Sequence, residues 1–319
     1  MNTEITDDNA IQTRRGWLFY DAECSPCVGW AERFRGWLLL AVLPFVALVF
    51  KPALPAWGFM WMMAFAIFLG CKWLTWWSAR AKAPRNKLGP SLAYLLAWPG
   101  MNAEAFLNAK SVPQKQAPFG WCFPATQTLL GIWLVWGCAG LVHAKHPLLA
   151  GWIGLVGLAF MLHFGLFQLL ALGWQRAGFD AQPVMRSPIL AKSLAEFWAK
   201  RWNVAFHQLA HTYAFEPLRR RIGPKRATLF VFLISGLVHE LVVSLPAGSG
   251  YGLPTAYFSL QGFGLLVERS PAGRRLGLGH SLPGWLFSTV FVGGPAFWLF
   301  HPPFIRHVIL PFLSKIGSF

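Results

Sequence analysis

Charge is what this chain has least of. Only 13% of its 319 residues are charged, against roughly a quarter in a soluble globular domain, which is too little to cover a soluble surface. Carboxylates are scarcer still: there are 12, and six of them fall within the first 32 residues. Cysteine is sparse and odd in number (Cys24, Cys27, Cys71, Cys122 and Cys138), which excludes a disulfide framework. No internal repeat and no low-complexity segment is visible, which argues against a solenoid or an array. The first thirteen residues are polar and acidic, without an apolar core, so no cleavable signal peptide is expected.

What the chain has in excess is apolar surface. Hydrophobic residues make up 55%, with 18 Trp, 28 Phe and a mean hydropathy of +0.44. Aromatic rings suit the headgroup level and the hydrocarbon interior of a bilayer. The composition therefore predicts an all-α, multi-pass integral membrane protein. Apolar runs bounded by charge or by Pro and Gly mark about eight spans, near 36–50, 57–77, 121–142, 147–173, 227–245, 253–268, 284–300 and 302–319. They divide the chain into a polar tail, 1–35, and a membrane-embedded domain, 36–319. The stretch 91–107 is apolar but interrupted by Pro99-Gly100, which reads as a re-entrant or interfacial element.

The net charge of +16 is what a nucleic-acid binder shows, but a membrane offers a plainer cause. With the N-terminus in the cytoplasm, almost all Lys and Arg fall in cytoplasmic segments, and only Lys51, Lys145 and Arg306 land on the other side or in the last hairpin. That is the positive-inside asymmetry, and no nucleic-acid partner is needed to explain it. The densest block, Arg219, Arg220, Arg221, Lys225 and Arg226, has two readings: anionic membrane lipids or the phosphates of a cofactor arriving from the cytosol.

The informative stretch starts at Pro188. Ser193 followed by Glu196 is a capping-box pattern, which predicts a helix running to about His211. Phe197, Trp198, Trp202 and Phe206 form its aromatic side, while Glu196, Lys200, Asn203, His207 and His211 recur at spacings of three and four. The bland account is an interfacial helix on the membrane surface. His207 and His211 have metal-ligand spacing, but without a third ligand no metal is expected. The next apolar run holds Ser235, His239, Glu240 and Ser244. An ionisable pair inside a bilayer-length helix is expensive and marks a functional interior by default. The pair fits a transporter's proton relay as well as a catalytic base, although no repeated half-domain accompanies it.

Phe197-Trp198-x-x-Arg201-Trp202-Asn203, with Ser235-Gly236-Leu237-Val238-His239-Glu240 placing its His 36 residues after the Asn, resembles the signature of the membrane-bound O-acyltransferases, most of all their wax-synthase branch. The match spans residues 188–245. The resemblance implies an all-helical membrane fold with a reaction chamber inside the bilayer, His239 as the catalytic residue and Asn203 as the second polar residue of the site. It implies acyl-CoA as co-substrate, with no permanently bound cofactor, and a lipophilic alcohol as acceptor; diacylglycerol, a sterol, a terpenoid or transfer of acetyl groups are the alternatives. The residue chemistry agrees, since neutral imidazole suits removal of an alcohol proton near pH 7. Trp198, Trp202 and Phe206 are expected to line the chamber, with Arg201, His207 and Glu240 in support. Ser235, one turn before His239, is expected to bond the ring through its hydroxyl.

Residues 17–36, with Tyr20-Asp21-Ala22-Glu23-Cys24-x-x-Cys27, resemble the opening of the DCC thiol-disulfide oxidoreductases, with Ala22 where that pattern has Gly. The resemblance covers about 20 residues before an apolar run begins, which implies a vestigial fragment.

Overall fold

The computed structural model describes residues 25–80, 88–108 and 120–319, and every regular element among them is helical. An apolar chain leaves this as the economical solution, because a helix satisfies its backbone hydrogen bonds within one segment. In chain order the helices are α1 (Ser25–Val49), α2 (Ala56–Ala79), α3 (Leu88–Ala97) and α4 (Ala103–Leu107). Then come α5 (Cys122–His143), α6 (Pro147–Arg176), α7 (194–201) and α8 (204–222). After these come α9 (Pro224–Ala247), α10 (Leu253–Glu268), a one-turn helix at Pro271–Arg275, α11 (Ser281–Leu299) and α12 (302–315). Cys24 and the side chain of Cys27 lie outside what the structure describes.

Five helices are long and apolar enough to cross a membrane: α2, α5, α6, α9 and α11. The expected count of eight is not reached among the described residues. The apolar part of α1 is Phe34–Val49, and α10 has 16 residues, so each rises about 24 Å at 1.5 Å per residue, short of a hydrocarbon core of about 30 Å. The final run gives α12, whose 14 residues (302–315) rise about 21 Å. Apolar runs register composition, whereas a span also needs enough continuous helix to cross the core.

At the centre is α2, which buries Phe59, Met63, Cys71 and Leu74 almost completely. Its Met60 joins Val135 of α5, Val243 of α9 and Ile305 of α12 in one apolar cluster. Its Phe59 and Met63 join Met101 and Ala205 in a second. Its Ala79 closes a third with Tyr94, Phe106 and Ala171. Where α5 meets α6, a Cβ on Gly131 would lie 2.5 Å from the Met161 nitrogen, so glycine is what lets the backbones touch.

The Pro99-Gly100 interruption divides the 91–107 stretch into α3 and α4. The turn between them is held by a residue that the search for apolar runs passes over. Lys72, fully buried on α2, donates from Nζ to the Gly100 carbonyl at 2.7 Å. The same nitrogen lies 3.1 Å from the centre of the Tyr94 ring, and the Tyr94 hydroxyl meets Thr75 Oγ1 at 2.7 Å. A buried polar nitrogen is tolerable only with such partners.

Candidate active site

His239 ends the α-helical part of α9, and a π turn, Glu240–Ser244, follows it directly. Its Nδ1 lies 2.7 Å from the Ser235 carbonyl. A carbonyl only accepts, so Nδ1 carries the proton, and in the neutral ring Nε2 keeps its lone pair. One ring face rests on Phe258 of α10, with centroids 4.3 Å apart. The tautomer is thus set one turn back, as expected, but by the backbone of Ser235 and not by its hydroxyl. An i−4 carbonyl is always within reach in a helix, whatever the side chain there.

Glu240 turns away from its neighbour. Its Oε1 accepts from the Gly252 amide at 3.0 Å, the Thr255 amide at 3.1 Å and Thr255 Oγ1 at 2.8 Å. It therefore caps the N-terminus of α10, where free amides and the helix dipole favour an anion.

The expected single helix from Ser193 to His211 is broken. Its start is as read: Ser193 Oγ accepts from the Glu196 amide at 2.9 Å. After a π turn at Phe197–Arg201, however, Trp202 is extended and Asn203 adopts φ +43° and ψ +56°. Asn is among the few residues that enter this left-handed region readily. Asn203 Oδ1 then accepts from the Phe206 amide at 3.4 Å, which starts α8. The polar stripe drawn along one helix does not survive the break. The turn is pinned from outside: the Arg186 amide donates to the Arg201 carbonyl at 2.8 Å, and the Val204 amide to the Val184 carbonyl at 2.9 Å. With its oxygen used as a cap, the amide nitrogen of Asn203 is the group left for other work.

The remaining expected residues divide into those that meet His239 and those that support the turn. Trp198 packs on Phe258, centroids 5.7 Å apart, so it shares with His239 the same aromatic neighbour. Trp202 stacks on Phe197 at 5.7 Å with an 11° interplanar angle. Phe206 packs on the core cluster that also receives Val238 and Val242 of α9. Arg201 is structural: Nε donates to Glu196 Oε1 at 2.7 Å, and Nη1 to the carbonyls of Arg186 and Ser187. Burial raises the Glu196 carboxyl, but the Lys192 amide and the Arg201 guanidinium outweigh it and hold the group below the usual carboxylate range. His207 is half-buried on α8, and burial together with the charge of nearby His211 pulls its pKa below that of free imidazole.

Arg219 is engaged by Glu216, Nη2 to Oε2 at 2.8 Å, whereas Arg220, Arg221, Lys225 and Arg226 are exposed around the turn at Gly223. Arg226 and His239 are thirteen residues apart on α9, about 20 Å of helix.

A cavity of about 50 Å³ lies beside the Asn203 turn, between Trp98, Gly100 and Asn102 on one side and Val204, Ala205 and Gln208 on the other. Neither His239 nor Asn203 lines it.

Several residues of the site were not foreseen: Phe258, Thr255, Gln261 and Glu268, all on α10, and Lys72. Gln261 Oε1 accepts from Trp198 Nε1 at 3.3 Å. Glu268, 4% exposed, accepts from the Leu194 amide at 2.5 Å and the Ala195 amide at 3.3 Å. The signal was present as three polar residues, Thr255, Gln261 and Glu268, six and seven residues apart in an apolar helix, about two turns each and so on one face.

Comparison with known proteins agrees with the motif resemblance. Residues 181–260 match the Membrane bound O-acyl transferase family, a segment that contains α7, α8, α9 and the first half of α10. The chain is 30% identical over 142 residues to a long-chain-alcohol O-fatty-acyltransferase of Simmondsia chinensis, covering 41% of this chain and 40% of that protein. It is 29% identical over 148 residues to the probable long-chain-alcohol O-fatty-acyltransferase 7 of Arabidopsis thaliana, covering 41% and 42%. Similarity extends to the acyl-CoA–sterol O-acyltransferase 1 of the same plant, 28% over 161 residues, covering 44% and 45%. The matches thus span less than half the length of these curated relatives.

Proposed function

We propose that this chain is an integral membrane acyltransferase that joins the acyl group of acyl-CoA to a lipophilic alcohol. One observation carries the reading: the neutral ring of His239, with Nδ1–H committed to the Ser235 carbonyl at 2.7 Å, presents Nε2 as a base. In the proposed step Nε2 takes the proton of the alcohol hydroxyl as its oxygen attacks the thioester carbonyl. The carbon–sulfur bond then breaks, and the proton passes to the departing CoA thiolate. The amide of Asn203 donates to the carbonyl oxygen as negative charge develops on it. The exposed cations of the Arg219–Arg226 block receive the CoA phosphates from the cytosol, with the N-terminus on the same side.

The long-chain-alcohol relatives support a fatty alcohol as acceptor, and the sterol relative supports a sterol as the second reading. A proton-relay transporter is disfavoured because no repeated half-domain accompanies the His239-Glu240 pair.

The test is lipid analysis of cells expressing the chain and fed fatty alcohol or sterol in parallel. A new ester band, lost in His239→Ala at equal protein level in the membrane, is the expected result. Undiminished ester synthesis in that variant would overturn the assignment.

A further inference from the structure

The helix after the span of His239 contains a stripe that touches both motifs. Thr255, Phe258, Gln261, Leu265 and Glu268 recur at steps of three or four, so they share a face of α10. At the N-terminal end, Glu240 grips the Gly252 and Thr255 amides and the Thr255 hydroxyl. In the middle, Phe258 carries the ring of His239 on one side and Trp198 on the other. Gln261, fully buried, accepts from Trp198 and donates to the Phe291 carbonyl at 2.6 Å. At the C-terminal end, Glu268 grips the first amides of α7. The two carboxylates do the same job in opposite directions: α9 lends one to the start of α10, and α10 lends one to the start of α7. Each fills unpaired amides at a helix start, where an anion is most favoured.

We propose that α10 is a strut that fixes His239 against Trp198 and the Asn203 turn, with Glu240 and Glu268 as its positioning residues. Neither carboxylate takes part in proton transfer. The proposal rests on the reading of His239 as the base, and it assigns the Glu of the His239-Glu240 pair to geometry.

The experiment compares Glu240→Gln, Glu240→Ala and Glu268→Ala in the full chain, reconstituted in lipid nanodiscs. Two readouts are used: ester-forming kinetics, and amide hydrogen exchange without substrate. Gln keeps a carbonyl acceptor for the α10 amides, so Glu240→Gln should hold most of the kcat and the wild-type pH profile. Glu240→Ala should lower kcat about 10- to 100-fold, as expected for a displaced catalytic group, with KM little changed, and should speed exchange at Gly252 and Thr255. Glu268→Ala should do the same to kcat while speeding exchange at Leu194 and Ala195.

A Glu240→Gln variant as inactive as Glu240→Ala, with protected α10 amides, would make the carboxylate a proton carrier and overturn the proposal. So would wild-type exchange in both alanine variants. If an alanine variant fails to accumulate, Thr255→Val, which removes only the hydroxyl donor, should give a smaller loss of kcat with faster exchange at Gly252; an unchanged variant counts against the strut. Faster exchange in Glu240→Ala combined with full ester formation in His239→Ala would leave the strut standing and remove the reading of His239 as the base.

Discussion

His239 and Asn203 are the two polar residues on which the proposed reaction turns, and they are held in opposite ways. His239 takes its tautomer from a carbonyl four residues back on its own helix. Asn203 is in a left-handed turn that exists because residues 184–186, from a separate segment, bond both of its flanks. Its own backbone N–H donates to Met185 Sδ at 3.2 Å. The first arrangement needs only helix. The second needs the tertiary structure to be in place, because a left-handed residue costs about 1–2 kcal/mol in a plain helix and is kept only where its surroundings require it. Substitutions around His239 should therefore read as chemistry, and those around Asn203 as chemistry mixed with folding.

The largest expected effect is at the base itself. Replacing His239 by Ala should lower kcat by about 10² to 10⁴-fold, the usual contribution of general-base catalysis, with no change in thermal unfolding; steady-state ester formation in purified membranes measures it. Three substitutions at Asn203 separate its roles. Asn203→Asp keeps the left-handed preference and the capping oxygen but loses the amide donor, so it should fold normally while kcat falls about 10²-fold, as on loss of an oxyanion donor. Asn203→Gly should be as inactive with a modest stability loss, and Asn203→Ala should be both inactive and the least stable of the three. An active Asn203→Gly would reduce the residue to a turn former.

Next comes Gly236, where an added Cβ would lie 2.7 Å from the Thr255 Cα. Gly236→Ala should cost about 1–3 kcal/mol by overpacking and lower activity by moving α10 off His239, with thermal unfolding and kcat falling together. Neutralising Arg220, Arg221, Lys225 or Arg226 one at a time should raise the KM for acyl-CoA about two- to five-fold, as exposed ion pairs allow. The effect should fade at high salt, and kcat should stay in place. Smallest is Ser235→Ala: the carbonyl that holds His239 remains, so activity should stay within about two-fold. A collapse there would return the hydroxyl to the mechanism and remove the contrast between the two polar residues.

The same contrast explains what was legible in the sequence. The helical class, the capping Ser193 and the break at Pro99-Gly100 were all readable, because each depends on neighbours within one or two turns. The break at Trp202-Asn203 was not, since the aromatic and polar spacings of 193–211 satisfy a continuous helix and nothing local announces that residues 184–186 will pair across them. Nor were the two long-range caps, which join positions far apart in the chain. Lys72 was overlooked for a different reason: one cation in a run as apolar as 57–77 leaves the run's character unchanged, yet its partner carbonyl lies 28 residues away. The His239-Glu240 pair drew attention through the rarity of carboxylates. Of the six carboxylates after residue 32, Glu240 and Glu268 accept from backbone amides at helix starts, and Glu196 accepts from the Lys192 amide just before one.

Glu268 sets a timetable. It follows the amide it caps by 74 residues, so a ribosome that has released the FWxxRWN segment must still make three further helices, α8, α9 and α10, before the start of α7 has its acceptor. The two motifs are therefore made ahead of the helix proposed to align them. Nascent chains arrested before α10 should hold His239 and Asn203 without an ordered site, and ester-forming competence should arrive as a late, single event of biogenesis.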